Sequence, residues 1–393
     1  MLYLKHFNTD TSRTDYDRNN YVKHVSYSIE SDSAYITTHK PYLTFSILSN
    51  GTVQFSGTSS GSTTNTIQYS INNGETWSEP AQIVNINVNV GDNVMWKGEM
   101  TPISGEGIGT FSGGTAKFDL KFDVMSLLYG DDFETNDDLK SSDTFRELFA
   151  FTNVVNTNLF VLKSNTLTQY CYWHMFQNCQ ELIEMPYLFA QNLRNFCYGE
   201  MFIGCIKLKN TKALSAERTV DGCYIRMFNG CTSLIQAPIL MSKEVSFSAY
   251  EGMFANCSSL IQAPTILPAM TISVESYRNM FANCISLTQA PVLPATNLAE
   301  KCYENMFSGC TSLTNAPELP ATNLVYACYR NMFTDCTNLN YIKILATNFS
   351  TNDNCFVNWV DGVASSGTFV KKANATFPSG VSGIPNGWTV QNI

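Results

Sequence analysis

Charge is scarce in this chain of 393 residues: Asp, Glu, Lys and Arg together make only 15% of it. No basic run occurs, and the formal net charge is −9. That balance excludes a protein that tracks nucleic-acid backbone or adheres to an anionic membrane surface. The acidity itself reads as a solubility charge. No stretch of ~20 apolar residues is present, so nothing is expected to span a bilayer. The start, MLYLKHFNTDTSRTDYDRNN, has neither an apolar h-region nor a small-residue cleavage site, so no secretory signal is read there. Gly-rich phosphate loops, nucleophile elbows and His-Glu-x-x-His patterns are missing too. Catalysis, cofactors and metals are therefore not expected.

Cysteine is absent from the first 170 residues, and all 13 lie between Cys171 and Cys355. They recur at two fixed positions of a repeat, unlike the irregular spacing of a disulfide framework. The reading is buried free thiols used as small apolar groups, with pairing between neighbouring coils as the alternative. Zinc is not expected, because no repeat brings a second ligand set and His174 is the only His among the repeats.

What the chain does have is periodicity. Tyr-x-x-Met-Phe-x-x-Cys-x-x-Leu is written seven times, at Met175, Met201, Met227, Met253, Met280, Met306 and Met332, spaced 26, 26, 26, 27, 26 and 26 residues apart. Such self-similarity marks a stacked array of coils, with these seven Met residues as its repeated core. Within one unit, Tyr303, Met306, Phe307 and Cys310 fall at i, i+3, i+4 and i+7, the buried face of a helix. Asn297 is placed as its N-cap and Glu300 as the capping-box partner. Three residues after each Met stands Asn178, Gly204, Gly230, Asn256, Asn283, Gly309 or Asp335, residue types that adopt the left-handed conformation ending a helix. Beyond it Leu313, Ala316 and Leu319 are expected to point inward from a short strand, with Thr314 and Asn315 outward. Arg278, Glu304 and Arg330 are placed on the solvated helix side.

Outside the repeats, residues 1–40 read as a polar, extended N-terminal arm, either a disordered terminus or a segment that orders against another subunit. Residues 41–130 read as a small β-sandwich or barrel, with Thr44–Ile47 and Thr52–Phe55 forming a hairpin through Asn50-Gly51. In it Ser70-Ile71-Asn72-Asn73-Gly74-Glu75-Thr76-Trp77 resembles the Asp-box of sialidase-like proteins, a structural hairpin device. Residues 131–370 carry the repeats, with degenerate end coils at Phe145–Thr152 and Cys355–Val360. Residues 371–393 read as a C-terminal cap.

The unit Met-Phe-x-x-Cys-x-Ser/Asn-Leu-x-x-Ala-Pro, followed by Leu-Pro-Ala-Thr-Asn-Leu, resembles the BspA-type leucine-rich repeats of Bacteroidetes proteins and their bacteriophages, over about residues 145–390. The closing GIPNGWTV looks like the usual end of such arrays. The resemblance implies an α/β leucine-rich-repeat solenoid of about nine coils of 26–27 residues, preceded by the β-domain and the arm. It implies a non-catalytic binding or attachment protein. Surface members of that family carry a secretion signal or lipoprotein Cys. Because neither is read here, the expectation is a virion component (fibre, decoration or tail protein), with a secreted or cell-surface adhesin as the alternative. A glycan-active enzyme is the remote third, on acid pairs such as Asp131 and Asp132 or Asp137 and Asp138. The expected binding face is the outward row Glu184, Asn210, Gln236, Gln262, Gln289, Asn315 and Tyr341. Beside it run Ile183, Lys209, Ile235, Ile261, Thr288, Thr314 and Asn340. Amides flanked by apolar groups suit hydrogen bonding to a glycan or peptide. Expected partners are other virion proteins or a host-surface glycan or protein, within a larger assembly.

Overall fold

The computed structural model describes residues 40–350 and 353–393. The arm assigned to residues 1–40 therefore lies outside the described residues, Lys40 excepted.

Alternating apolar and polar residues build the first part as strands. In chain order these are β1 (Leu43–Ile47), β2 (Gly51–Gly57), β3 (Ser59–Ser60), β4 (Thr63–Thr64), β5 (Gln68–Ser70), β6 (Ile83–Val88), β7 (Asn93–Lys97), β8 (Gly109–Thr110) and β9 (Phe118–Asp123). A single turn of helix, α1 (Ser126–Tyr129), follows. Then come a 3-10 stretch (Gly130–Thr135) and β10 (Leu159–Val161). One sheet has the order β10-β9-β1-β7-β5 and the other β6-β2-β8. The hairpin expected through Asn50-Gly51 does not form: β1 pairs with β7 and β9, whereas β2 pairs with β6 and β8. The tight turn instead carries the chain from one sheet to the other. A Cβ at Gly51 would meet Ala116 N at 2.7 Å, so only glycine allows the crossing.

The Asp-box-like segment does shape a turn. Asn72 Oδ1 accepts from Thr76 N at 3.0 Å, and Ser70 Oγ accepts from Gly74 N at 2.9 Å. Trp77 packs edge-on to Tyr42, with ring centroids 4.9 Å apart.

The repeats correct the expected fold class. No α/β leucine-rich-repeat solenoid forms: among the described residues the only α-helix is α1, four residues long and outside the repeats. The rest is small sheets and turns. The reason lies in the backbone. Tyr170, His174 and Asn178 all have positive φ (56°, 58° and 53°), as do Lys301, Asn305 and Gly309 (54°, 56° and 75°). A left-handed residue at every fourth position cannot sit in a right-handed helix. Each unit is therefore a run of turns whose N–H groups alternate between two partners. Trp173 N and Met175 N bond locally to Tyr170 O (3.1 Å) and Tyr172 O (3.2 Å). Tyr172 N, His174 N and Phe176 N instead reach Cys197 O (3.0 Å), Gly199 O (3.2 Å) and Met201 O (2.9 Å) of the next rung. The seven residues expected to end helices all do adopt positive φ, but as members of this turn series. Asn297 is not a helix cap; it bridges to Thr271 in parallel register.

Rungs stack through their side chains. Tyr198 lies over Tyr224 at 5.8 Å, and Phe202 over Phe228 at 5.6 Å, with the rings within about 6° of parallel. The phenylalanine column continues into the β-domain through Phe149–Phe176 (5.4 Å) and Phe111–Phe149 (5.6 Å). The joint is β9, which pairs antiparallel with β1 and parallel with β10. Its outer edge thus serves as the first rung. Buried apolar residues form one cluster from Tyr42 to Trp388.

Two-residue strands β11 (Glu244–Val245) and β12 (Thr271–Ile272) pair in parallel midway along the stack. At the far end β13 (Tyr341–Ile344), β14 (Thr368–Lys371) and β15 (Thr389–Asn392) form a parallel sheet. Two indole N–H groups fasten this tail, Trp359 Nε1 to Gly383 O (2.8 Å) and Trp388 Nε1 to Ala364 O (2.7 Å).

Candidate binding face

The short segment after each repeat's second Cys sets one face of the stack. Its Leu points inward, as does the Pro that five of the seven repeats carry, and the two residues after the Leu point out, as Leu234, Pro238, Ile235 and Gln236 show. Glu184 bridges Asn210, Gln236 bridges Gln262, Gln262 bridges Gln289, and Asn315 bridges Tyr341, all in parallel register. The row read from the sequence is thus bridged at four of its six steps. Asn210, Gln236, Gln262, Gln289 and Asn315 are exposed. Glu184 and Tyr341 are half-buried, and Glu184 is held in an ion pair with Lys212. The ammonium of Lys212 in turn lies 4.9 Å from the centroid of the Tyr187 ring. The amide row thus ends in a charged and aromatic cluster.

A second exposed row went unread. Ile239 is 67% exposed, Ile266 44% and Val292 56%, each one or two residues beyond the inward Pro. Ile266 bridges Val292 directly. With Ile235 and Ile261 they make an apolar centre around the three Gln amides. A shallow groove of about 400 Å³ runs alongside, lined by Pro291, Val292 and Pro294 on one rung and by Pro317, Glu318 and Pro320 on the next. The signal was present in the sequence, in Ala-Pro-Ile-Leu, Ala-Pro-Thr-Ile-Leu and Ala-Pro-Val-Leu. Helical and strand phasing alone do not orient the residue after Pro. Beyond Val292 the row turns charged, with Glu318 paired to Lys343 at 2.8 Å.

The turn run of each rung carries charges, and here too an expectation is corrected. Arg278, Glu304 and Arg330 are not simply solvated. They belong to a ladder that alternates sign from rung to rung: Glu147, His174, Glu200, Arg226, Glu251, Arg278, Glu304 and Arg330. Glu304 is buried between Arg278 (3.1 Å) and Arg330 (3.4 Å). Arg226 lies 3.4 Å from Glu200, and His174 2.8 Å from Glu200 and 3.6 Å from Glu147. Burial alone would lower the His174 pKa. Its hydrogen bonds and charge interactions with the two carboxylates outweigh that, and the imidazole titrates above its usual range.

The core letters of the repeat are packing groups. The seven repeat Met residues are all fully buried. All 13 cysteines are free and buried. The second Cys of each repeat donates its S–H to the Phe carbonyl one rung back, as with Cys205 to Phe176 O (3.0 Å) and Cys231 to Phe202 O (3.2 Å). Burial pushes the Cys257 thiol up to about 12, so these are inert hydrogen-bond donors. Among the acids, Asp131 accepts from the Tyr42 hydroxyl at 2.6 Å and pairs with Lys97 at 2.9 Å. That hydrogen bond, with Lys97 beside it, holds its carboxyl below the usual range. Among the described residues no group of three or more His, Cys, Asp or Glu is placed to hold a metal. No helix among them is long and apolar enough to cross a membrane.

No family model matches the chain, and no curated protein matches it. Among solved structures it is similar to a leucine-rich repeat protein from Bacteroides ovatus ATCC 8483, with 14% identity and a TM-score of 0.19. That match covers 50% of this chain and 71% of the other. The likeness is to a distant repeat protein, and it is too loose to assign a family.

Proposed function

We propose that this is a non-catalytic binding and attachment protein that works through the face bearing Gln236, Gln262 and Gln289. The observation that carries the reading is register. Amides of three consecutive rungs are exposed in line and flanked by exposed Ile239, Ile266 and Val292. Aligned amides offer donors and acceptors at fixed spacing, and the apolar neighbours supply area to bury. Replacing the three Gln residues together by Ala is expected to weaken binding to target cells while leaving the fold intact. Unchanged adsorption removes this face from consideration.

The setting proposed is a bacteriophage virion, as a fibre, decoration or tail protein contacting the host surface or other virion proteins. The free thiols support it. Thirteen buried cysteines, seven of them used as S–H donors to Phe carbonyls, suit a chain that folds in a reducing cytoplasm. Secreted proteins fold where thiols are oxidised. A BspA-type adhesin on a bacterial surface is the competing setting. Mass spectrometry of purified virions against host outer-membrane fractions separates the two. Recovery of the chain in the membrane fraction alone overturns the virion setting.

A further inference from the structure

The amide row of the exposed face is symmetric about its middle rung, while the row beside it sets Ile235 against Thr288 and Lys209 against Thr314. Taking the Gln262 and Ile266 rung as a centre, the amide row reads Asn210, Gln236, Gln262, Gln289, Asn315, the same residue types in either direction. The next row is apolar on both sides of the centre, with Ile239 one rung before Ile266 and Val292 one rung after, and one rung further out it reads Ala213 and Glu318. Charge reverses sign across the same centre. Lys212 stands two rungs before it and Glu318 two rungs after. Glu184 stands three rungs before it and Lys343 three rungs after.

We infer that the occupant of this face is a second copy of the chain, packed face to face about a two-fold axis running along the Ile266 rung. That axis keeps each row over itself and reverses the order of rungs. Ile266 then meets its own symmetry mate, and Ile239 meets Val292 of the other copy. Each Gln amide faces a Gln amide, which can both donate and accept. Tyr187 lies across from Lys343, Glu184 lies across from Tyr341, and Lys212 stands one residue out of line with Glu318. An isologous contact demands such self-complementarity, and the opposite two-ended charge pattern supplies orientation. The face spans roughly 30 Å by 13 Å from rung and residue spacings, small for a permanent dimer, so a weak and reversible association is expected. The inference rests on the proposal that this face binds, and it names the first thing bound: a second copy covers the face until a target displaces it.

Sedimentation of the full-length chain between about 1 and 200 µM tests it. The expected result is a concentration-dependent monomer–dimer equilibrium. Ile266→Glu, at an exposed position, is expected to weaken dimerisation at least about tenfold with an unchanged circular dichroism spectrum. Lys212→Glu and Glu318→Lys are each expected to weaken it, and their combination to recover most of the loss. A wild-type chain that stays monomeric to about 200 µM overturns the inference, and so does a dimer indifferent to Ile266→Glu. Monomers whose triple Gln→Ala variant loses target adsorption would sink the dimer and leave the binding proposal standing. A dimer with unaltered adsorption would do the reverse.

Discussion

Nε2 of His174 lies 2.8 Å from Glu200 Oε2 while Nδ1 lies 3.6 Å from Glu147 Oε1, so one imidazole joins three successive rungs at the root of the stack. Its folded-state pKa is raised above the unfolded value of about 6.5. A raised pKa means the folded state holds the proton more tightly, so this contribution is complete below about pH 6.5 and is lost as pH rises through the folded value. Thermal melts across that window are expected to show Tm falling toward alkaline pH. His174→Gln should flatten that slope. Equal slopes in both proteins would show that the imidazole is not coupled to folding.

Glu304 offers a second test, because it is the buried rung of the charge ladder. Glu304→Ala leaves the guanidiniums of Arg278 and Arg330 facing each other over an emptied site. Breaking a fully buried pair costs 3–5 kcal/mol as a general figure. The two Arg side chains are 33% and 40% exposed, so about 2 kcal/mol is expected by urea denaturation. Glu244→Ala serves as the control. Its pair with Arg218 is solvent-exposed, and the change should cost less than about 0.5 kcal/mol.

The thiols make a third prediction. Cys231→Ala removes the S–H donor to Phe202 O and leaves a small void, costing about 1–2 kcal/mol. Cys231→Ser keeps a donor and should cost less. In the native protein the cysteines should resist Ellman's reagent at pH 8, and all 13 should react once the chain unfolds. Fast reaction of several thiols in the folded protein would contradict their burial.

Left-handed backbone gives the fourth. Asn283 has φ 61° and donates its amide to Asn256 Oδ1 at 3.0 Å. Asn283→Ala should lose about 1 kcal/mol, and Asn283→Gly less, because glycine recovers the conformation though not the amide contact. If the two variants melt alike, backbone strain is not what selects Asn there.

The helix reading failed for a physical reason that the sequence does not display. Tyr303, Met306, Phe307 and Cys310 occupy the inward side of the rung, as helical spacing requires. A run of turns with a left-handed residue at every fourth position buries the same letters. What decides between them is Lys301 and Asn305 adopting positive φ, and neither is a glycine that would have announced it. Asn50-Gly51 misled in the same way: the pair does make a tight turn, but whether a turn closes a hairpin or crosses between sheets is settled by distant residues such as Ala116. The amide row was legible because each Gln stands at a fixed distance from a Met. The charge ladder was harder to read, since its members slide from one residue before Met227, at Arg226, to two before Met253, at Glu251. Gly252 takes the vacated left-handed position, with φ 60°.

Alternating local and next-rung N–H bonds have a mechanical consequence. No rung can satisfy its own backbone, so each is held shut by its neighbour. Under tension the stack should peel from an end, one rung at a time. Each rung released frees 26 or 27 residues of contour, about 90 Å of extended chain. A force–extension trace of this protein would therefore be a staircase of near-equal steps, with the β9 joint and the tryptophan-fastened tail as the two places where it can begin.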